Sequence, residues 1–296
     1  MLVFHSLALA QAVAIFSSSA FVNFGVDRVD PNQRNHVPAS QAAILNQSSL
    51  LDYFDLPFDL FPDTQAWGDS INEDPQDLHR IYFQNIDGIR NDADEMDLYV
   101  SSMAQFEIGT FCWVDHSLNM SQVTVQQALQ RPLLAHFGIA RSSRSNSILP
   151  PGLSALRSGY QPGGTFTATT GKWVTQSKGK PIIDPSGLGC WSGLRFLGKR
   201  GRRFTVLTAY RSPCQQTTGG YGFFDQQHSL LLSKGTIKPN VRKQFIQDIN
   251  VEVNKLQADG REILLSLDAN KIIGQDKTDG IASVLESCTL HDLHLL

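Results

Sequence analysis

The sequence predicts an α/β domain built around a mixed sheet, and three observations lead there. From His79 onward, short apolar runs of strand length alternate with longer segments whose apolar residues recur at helical spacing. A hairpin spanning Trp191 to Tyr210 and turning at Lys199-Arg200-Gly201-Arg202 interrupts that alternation, which argues for a mixed sheet over a purely parallel one. Two apolar runs far apart in the chain, Arg80 to Ile86 and Leu264 to Leu267, both end on closely spaced Asn and Asp residues. Open α/β sheets hold their ligands at such strand ends.

The elements follow in order. Ile81 to Ile86 reads as the first strand, and Asn91 or Asp92 can cap a helix with Met96, Val100 and Met103 on one face. Ile108 to Val114 is a second buried strand, followed by a helix over Val123 to Phe137 that Pro132 is expected to kink or break. Arg141 to Pro162, rich in Ser, Pro and Gly, reads as loop. Strands are expected over Gly164 to Thr169, in the hairpin, and over Ile263 to Leu267. Asn240 to Leu256 is an amphipathic helix with Phe245, Ile249, Val253 and Leu256 inward and Gly260 as its stop. Trp113, Trp173 and Trp191 are expected within strands, in the core.

Residues 1–78 differ from the rest and are expected to form a separate, poorly ordered N-terminal arm, with the domain proper over 79–296. Asn, Gln, Ser and Pro dominate up to Ser49, and the stretch Leu51 to Asp63 mixes acids and aromatics without period. Trp67 in this arm is a candidate anchor for a partner.

The net charge of -3 conceals an asymmetry. Asn35 to His79 holds eight carboxylates and no Lys or Arg, whereas Arg131 to Arg211 holds thirteen Lys and Arg against the single acid Asp184. An excess of that size on one segment suits either a polyanionic partner or a solvated basic face balanced by acids elsewhere. The four cysteines, Cys112, Cys190, Cys214 and Cys288, have no CxxC spacing, which argues against a disulfide scaffold or zinc knuckle and for an intracellular location, the nucleus included. No apolar run reaches membrane-spanning length, so no membrane partner is expected. Met1 to Phe24 is apolar but lacks a basic n-region, a weak match to a signal or transit peptide.

Gln84-Asn85-Ile86-Asp87-Gly88-Ile89-Arg90 resembles the first motif of the endonuclease/exonuclease/phosphatase superfamily. Thr110 to His116 is similar to its second motif, with Asp115 in place of the usual Glu. Phe204 to Arg211 resembles the family strand that ends in Tyr, and Ser266-Leu267-Asp268-Ala269-Asn270 resembles its Asp-x-Asn strand end. The resemblance implies a mixed-sheet α/β sandwich of the DNase I-like type and, within the family, the mobile-element endonuclease type. It implies an Mg²⁺ (or Mn²⁺) cofactor held by Asp115, with Asp87 as a second carboxylate and Asn85 supporting the metal and phosphate network. Asp268 would deprotonate the attacking water, and Asn270 and Tyr210 would hydrogen-bond phosphoryl oxygens. Hydrolysis of a phosphodiester needs these groups because charge on the phosphoryl must be neutralised, water activated and a poor leaving group assisted.

The family closes its site with a final Ser-Asp-His that is not found before Leu296, so the domain is expected to be incomplete at its C-terminus. His291 and His294 are read as ordinary polar residues there. Arg141, Arg144 and Arg211 are the candidate nucleic-acid contacts, DNA being favoured over RNA, and Lys199, Arg200, Arg202 and Arg203 are read as a solvated hairpin tip. A reverse transcriptase, as partner or fusion, fits the mobile-element type. Three readings stand: an endonuclease-like phosphodiesterase (or a phosphatase of the same fold), a relative that binds nucleic acid without cleaving it, and an interaction protein working through its acidic-aromatic arm.

Overall fold

Alternation of side chains along the strands decides the architecture, because it gives each central strand two apolar faces with different partners. The computed structural model describes residues 2–4, 12–15, 79–149, 159–213, 221–270 and 291–292. In chain order the elements are β1 (Leu2–Phe4), β2 (Ala12–Ile15), β3 (His79–Asn85), α1 (Ala93–Gln105), β4 (Thr110–Val114), α2 (Val123–Phe137), β5 (Ala140–Ser145), β6 (Thr165–Thr170), β7 (Ile182–Ile183), β8 (Trp191–Leu197), β9 (Arg203–Tyr210), α3 (Phe223–Ser233), α4 (Val241–Ala258), β10 (Arg261–Asp268) and β11 (His291–Asp292). One sheet has the order β1-β3-β4-β6-β5 and the other β11-β2-β10-β9-β8-β7. Both are mixed: β3 and β4 are parallel, as are β9 and β10, while β6 and β8 join them antiparallel.

Phe111 and Trp113 of β4 pack with Met96 and Val100 of α1 and Val125, Leu129 and Leu133 of α2. The alternate residues Cys112 and Val114 turn the other way and meet Leu194, Val206 and Leu264 of the second sheet. On the far side of that sheet, Leu207 of β9 and Ile263, Leu265 and Leu267 of β10 pack against Phe245, Ile249, Val253 and Leu256 of α4. The layers are therefore helix, sheet, sheet, helix, the mixed-sheet α/β sandwich that the motif resemblance implies. Not all of the space between the sheets is apolar: Thr167 Oγ1 hydrogen-bonds Thr208 Oγ1 at 2.7 Å and Ser192 Oγ at 3.1 Å, which ties β6 to β8 and β9.

The helices start where local chemistry sets them. Asp92 caps α1 by accepting from the Asp94 and Glu95 amides, and Asn240 caps α4 by accepting from that of Lys243. Several expectations need correction. α2 runs unbroken through Pro132, whose ring is buried in the layer against the sheet. Ala140–Ser145 is a strand, not loop: its serines and arginines hide the signal, but it pairs along its whole length with β6. Trp173 lies in a 3₁₀ turn over Gly171–Gln176, its ring stacked on His79 at 4.0 Å. α3 escaped the sequence reading, although Phe223, Leu230 and Leu231 share a face at helical spacing and Asp225 accepts from the Gly222 amide. Two short strands of the expected arm, β1 and β2, pair with β3 and β10. The rest of the arm, with Trp67, and also Cys214, Cys288 and His294, lies outside the described residues. Cys112 and Cys190 are buried free thiols. Among the described residues no helix is long and apolar enough to cross a membrane.

Two histidines give stability a pH dependence. His116 is fully buried, accepts from the Leu118 amide at Nδ1, and is pushed down to about 4 by burial. The ring of His79 lies between Trp173 and Phe196, and burial, helped by Lys172, takes it to about 3. Both are neutral in the fold but take a proton in the unfolded chain near pH 6.5. Their contribution is complete above that value and is lost as pH falls toward the folded values. In urea titrations each histidine should lower the unfolding free energy between pH 7 and pH 5 with a slope of at most about 1.4 kcal/mol per pH unit, partly offset by Asp115, whose carboxyl is raised by burial to about 6 and takes up a proton in the same window. His116→Gln should flatten that slope; an unchanged slope would contradict the account.

Candidate active site at the common strand ends

The same alternation that builds the layers delivers the polar residues. On β3, Ile81 and Phe83 face the second sheet, and Asn85 has their parity. On β9, Val206 faces inward and Tyr210 follows four residues later; on β10, Leu264 does so and Asp268 follows at the same interval. Because β3 and β4 run parallel and β9 and β10 run parallel, Asn85 is level with Val114 and Asp268 level with Tyr210. Each polar residue ends its strand on the surface shared by the two sheets.

Asn85 Nδ2 donates to Asp268 Oδ2 at 2.6 Å, a contact between residues 183 positions apart in the chain. The Asn270 amide donates to the other oxygen of Asp268 at 2.9 Å. Tyr210 donates its phenol to Asp115 Oδ2 at 2.8 Å, and the Gly163 amide reaches Asp115 Oδ1 at 3.2 Å. Asn270 Nδ2 donates to the Arg211 carbonyl at 2.6 Å. Asp87 stands beside this group, its amide donating to Asn85 Oδ1 at 3.0 Å.

The backbone here is held in costly conformations. Asp87, Asp115, Ser117 and Asn270 all have positive φ, at 47°, 54°, 54° and 48°. Asp and Asn tolerate the left-handed region better than most residues, and such strain collects at functional sites. The Asp115 loop is fixed from both sides: its amide donates to the Gly164 carbonyl, and its carbonyl accepts from the Gly88 amide. Gly163 itself has φ 79°, and a Cβ there would run into the Phe223 ring. Phe223 in turn stacks on Tyr210, with centroids 5.2 Å apart. Gly163 and Phe223 were missed in the sequence, where only the Gly-Gly pair at 163–164 marked the spot.

Burial raises the Asp115 carboxyl to about 6; Tyr210 opposes this, and the negative charges of Asp87 and Asp268 add to it. Asp268 is also raised, chiefly by burial, against the pull of Asn85 and the Asn270 amide. The Tyr210 phenol is pushed up strongly by burial and by Asp115. Asp115 and Asp268 at the poorly solvated rim, with the exposed Asp87 beside them, offer hard carboxylate oxygens of the kind that Mg²⁺ takes. Among the described residues no group of three or more Asp, Glu, His or Cys side chains is placed so as to hold a metal ion.

The sequence-predicted residues therefore divide. Asn85, Asp87, Asp115, Tyr210, Asp268 and Asn270 come together. Tyr210 and Asn270, expected to reach phosphoryl oxygens, direct donors to Asp115 and to the Arg211 carbonyl instead. Arg211 is buried beside them, its amide donating to the Asp268 carbonyl. Arg144 is near the site end of β5 but donates to Gln126 Oε1. Arg141 is at the wrong end: its register partner Thr169 also faces Thr110, the start of β4, so it lies four residues from Val114, about 13 Å along the strand. Its guanidinium holds the Ser177 and Gly179 carbonyls. Arg202 and Arg203 at the hairpin tip pair with Glu262 and Asp259, as a surface turn would. His291 is level with Ala12 and thus with Leu264, short of the rim.

No family model and no curated protein matches the sequence. Among solved structures, the chain is similar to the human Nocturnin catalytic domain, with 13% identity and a TM-score of 0.39 over 66% of this chain and 62% of that domain. It is similar to a humanised TDP2 of D. rerio, with 13% identity and a TM-score of 0.37 over 69% of each chain. An endonuclease/exonuclease/phosphatase family protein from Leptotrichia buccalis gives 12% identity and a TM-score of 0.30 over 55% of this chain and 64% of that one. The chain thus spans less than two thirds of the Nocturnin domain.

Tyr210→Phe should isolate the Tyr210–Asp115 contact. Removing a donor to a charged carboxylate forfeits about 1.5–3 kcal/mol of preference for the charged form, so in metal-free protein the Asp115 carboxyl should titrate about one unit or more higher. A ¹³C titration of the Asp115 carboxyl would read this, and a value unchanged or lower would show that the contact is absent.

Proposed function

We propose that the chain is a metal-dependent phosphodiesterase of the endonuclease type acting on nucleic acid, DNA in preference to RNA. The observation that carries this is the convergence of Asn85, Asp115, Tyr210, Asp268 and Asn270 at one strained, half-buried rim. Asp268 takes a proton from the attacking water. Its two oxygens are oriented by Asn85 and by the Asn270 amide, so the lone pair that receives the proton has a fixed direction. Tyr210 and the Gly163 amide orient Asp115 in the same manner. Asp115, with Asp87 beside it, would hold Mg²⁺ or Mn²⁺, which supplies positive charge to the phosphoryl and leaving oxygens. Of the basic residues between Arg131 and Arg211, Arg144 lies near the site end of its strand and is the candidate contact to a polyanionic substrate.

A specific observation favours a second reading, in which nucleic acid is bound without cleavage. Tyr210 and Asn270 direct donors toward protein atoms, Asp115 and the Arg211 carbonyl.

One experiment separates the two. Purified protein with Mg²⁺ should nick supercoiled plasmid, chelation should stop it, and Asp268→Ala should lower the rate by about 10²–10⁴-fold. Nicking that survives in Asp268→Ala rejects the assignment of Asp268. Salt-dependent DNA binding with no turnover in the parent protein establishes the second reading.

A further inference from the structure

One cation near this rim is used by neither reading. Arg242 sits in the first turn of α4, followed by Lys243, with no acid in that turn. The N-terminus of a helix is its positive end, where a cation is disfavoured. A sequence that breaks a local rule in this way is usually answering a demand from elsewhere. Here the demand is visible. Arg242 Nη1 donates to the Ser212 carbonyl at 2.5 Å, and Nη2 donates to the Ala269 carbonyl at 3.4 Å. Ser212 is two residues beyond Tyr210, and Ala269 lies between Asp268 and Asn270. Both are buried, as is Arg211.

We propose that Arg242 is a positioning residue, clamping together the chain segments that leave β9 and β10 so that Asp268 and Asn270 keep their geometry. This rests on the phosphodiesterase reading for its catalytic consequence, though not for its structural one. Two other ties join the same segments: the Arg211 amide to the Asp268 carbonyl at 2.9 Å, and Asn270 Nδ2 to the Arg211 carbonyl at 2.6 Å. Both lie at the strand exits themselves. Arg242 adds the tie from outside, anchored on a helix that packs along β10 through Phe245, Ile249 and Val253. A planar fork of donors can serve two carbonyls at once, whereas a lysine ammonium on a flexible stem cannot hold the same span. The field of Arg242 also favours the charged form of Asp268.

The test uses Arg242→Met, Arg242→Lys, Arg242→Ala, Asp268→Ala and the parent protein, with two readouts. The first needs no activity: hydrogen exchange of the amides of Arg211, Asp268 and Asn270, measured without metal. Arg242→Met should speed exchange at these positions at least tenfold while the thermal transition and exchange in β4 and α1 stay near the parent values. The second is steady-state nicking with Mg²⁺. Misplacing a reacting group by about 1 Å can cost about 10²-fold, so kcat should fall by that order in Arg242→Met with KM within threefold. Arg242→Lys should restore neither readout, and guanidinium ion at tens of millimolar should partly rescue Arg242→Ala but not Asp268→Ala. Unchanged exchange in Arg242→Met overturns the proposal whether or not the protein cleaves DNA. A rise in KM with kcat intact overturns it in favour of a substrate contact. A parent protein that does not nick, together with faster exchange in the variant, leaves the clamp standing and removes the phosphodiesterase reading alone.

Discussion

The hydrogen bond from Asn85 to Asp268 joins the ends of two strands that belong to different sheets and are separated by most of the domain. It can form only if the sheets pack face to face, if β3 and β10 point to the same end, and if both residues have inward parity. Every one of those conditions is set by something else in the structure. The apolar contacts of Phe83, Cys112 and Val114 with Leu194, Val206 and Leu264 bring the faces together. Parallel pairing of β3 with β4, and of β9 with β10, aligns the exits. A one-residue slip in any of these strands would turn its polar end residue toward a helix layer instead.

What surrounds that bond follows from the cost of placing acids where water is scarce. Asp115 and Asp268 are both raised by burial, and each has its oxygens met by designated donors: Tyr210 and the Gly163 amide for one, Asn85 and the Asn270 amide for the other. Stacking of Phe223 on Tyr210 fixes the phenol that would otherwise swing away. Hydrogen bonds to buried charges are among the stronger ones in proteins, and losing one partner leaves the other unsatisfied. The rim therefore behaves as one connected network, and substitutions within it will not be additive. Strained backbone at Asp87, Asp115 and Asn270 is held in place by the same contacts.

Much of this was legible in the sequence, for a physical reason. Apolar strands ending on Asn, Asp or Tyr expose the strand and its end residue in a single stretch, but only the ordered resemblance to a known family's motifs marks Asn85, Asp115, Tyr210, Asp268 and Asn270 as site residues, since each alone also fits a turn cap or a core position. Parity along Ile81-Phe83-Asn85 and Leu264-Ser266-Asp268 even contains the face on which they lie. Other features are invisible to a local reading. β5 is written in Ala, Arg and Ser, and only pairing with β6 makes it a strand. Arg141 looks like a loop cation near the site but is placed by register at the far end. Gly163, Phe223 and Arg242 act at the rim through contacts with elements distant in sequence, and no spacing rule links them to it.

The site exists only if the two strand ends meet. A double-mutant cycle on unfolding free energy, using Asn85→Ala, Asp268→Ala and the double variant without metal, measures that contact alone. A charged hydrogen bond of this geometry predicts a coupling of about 1.5–3 kcal/mol. Additive effects, with coupling within about 0.3 kcal/mol of zero, would mean that Asn85 and Asp268 do not touch; the site assembled around them would then have no foundation.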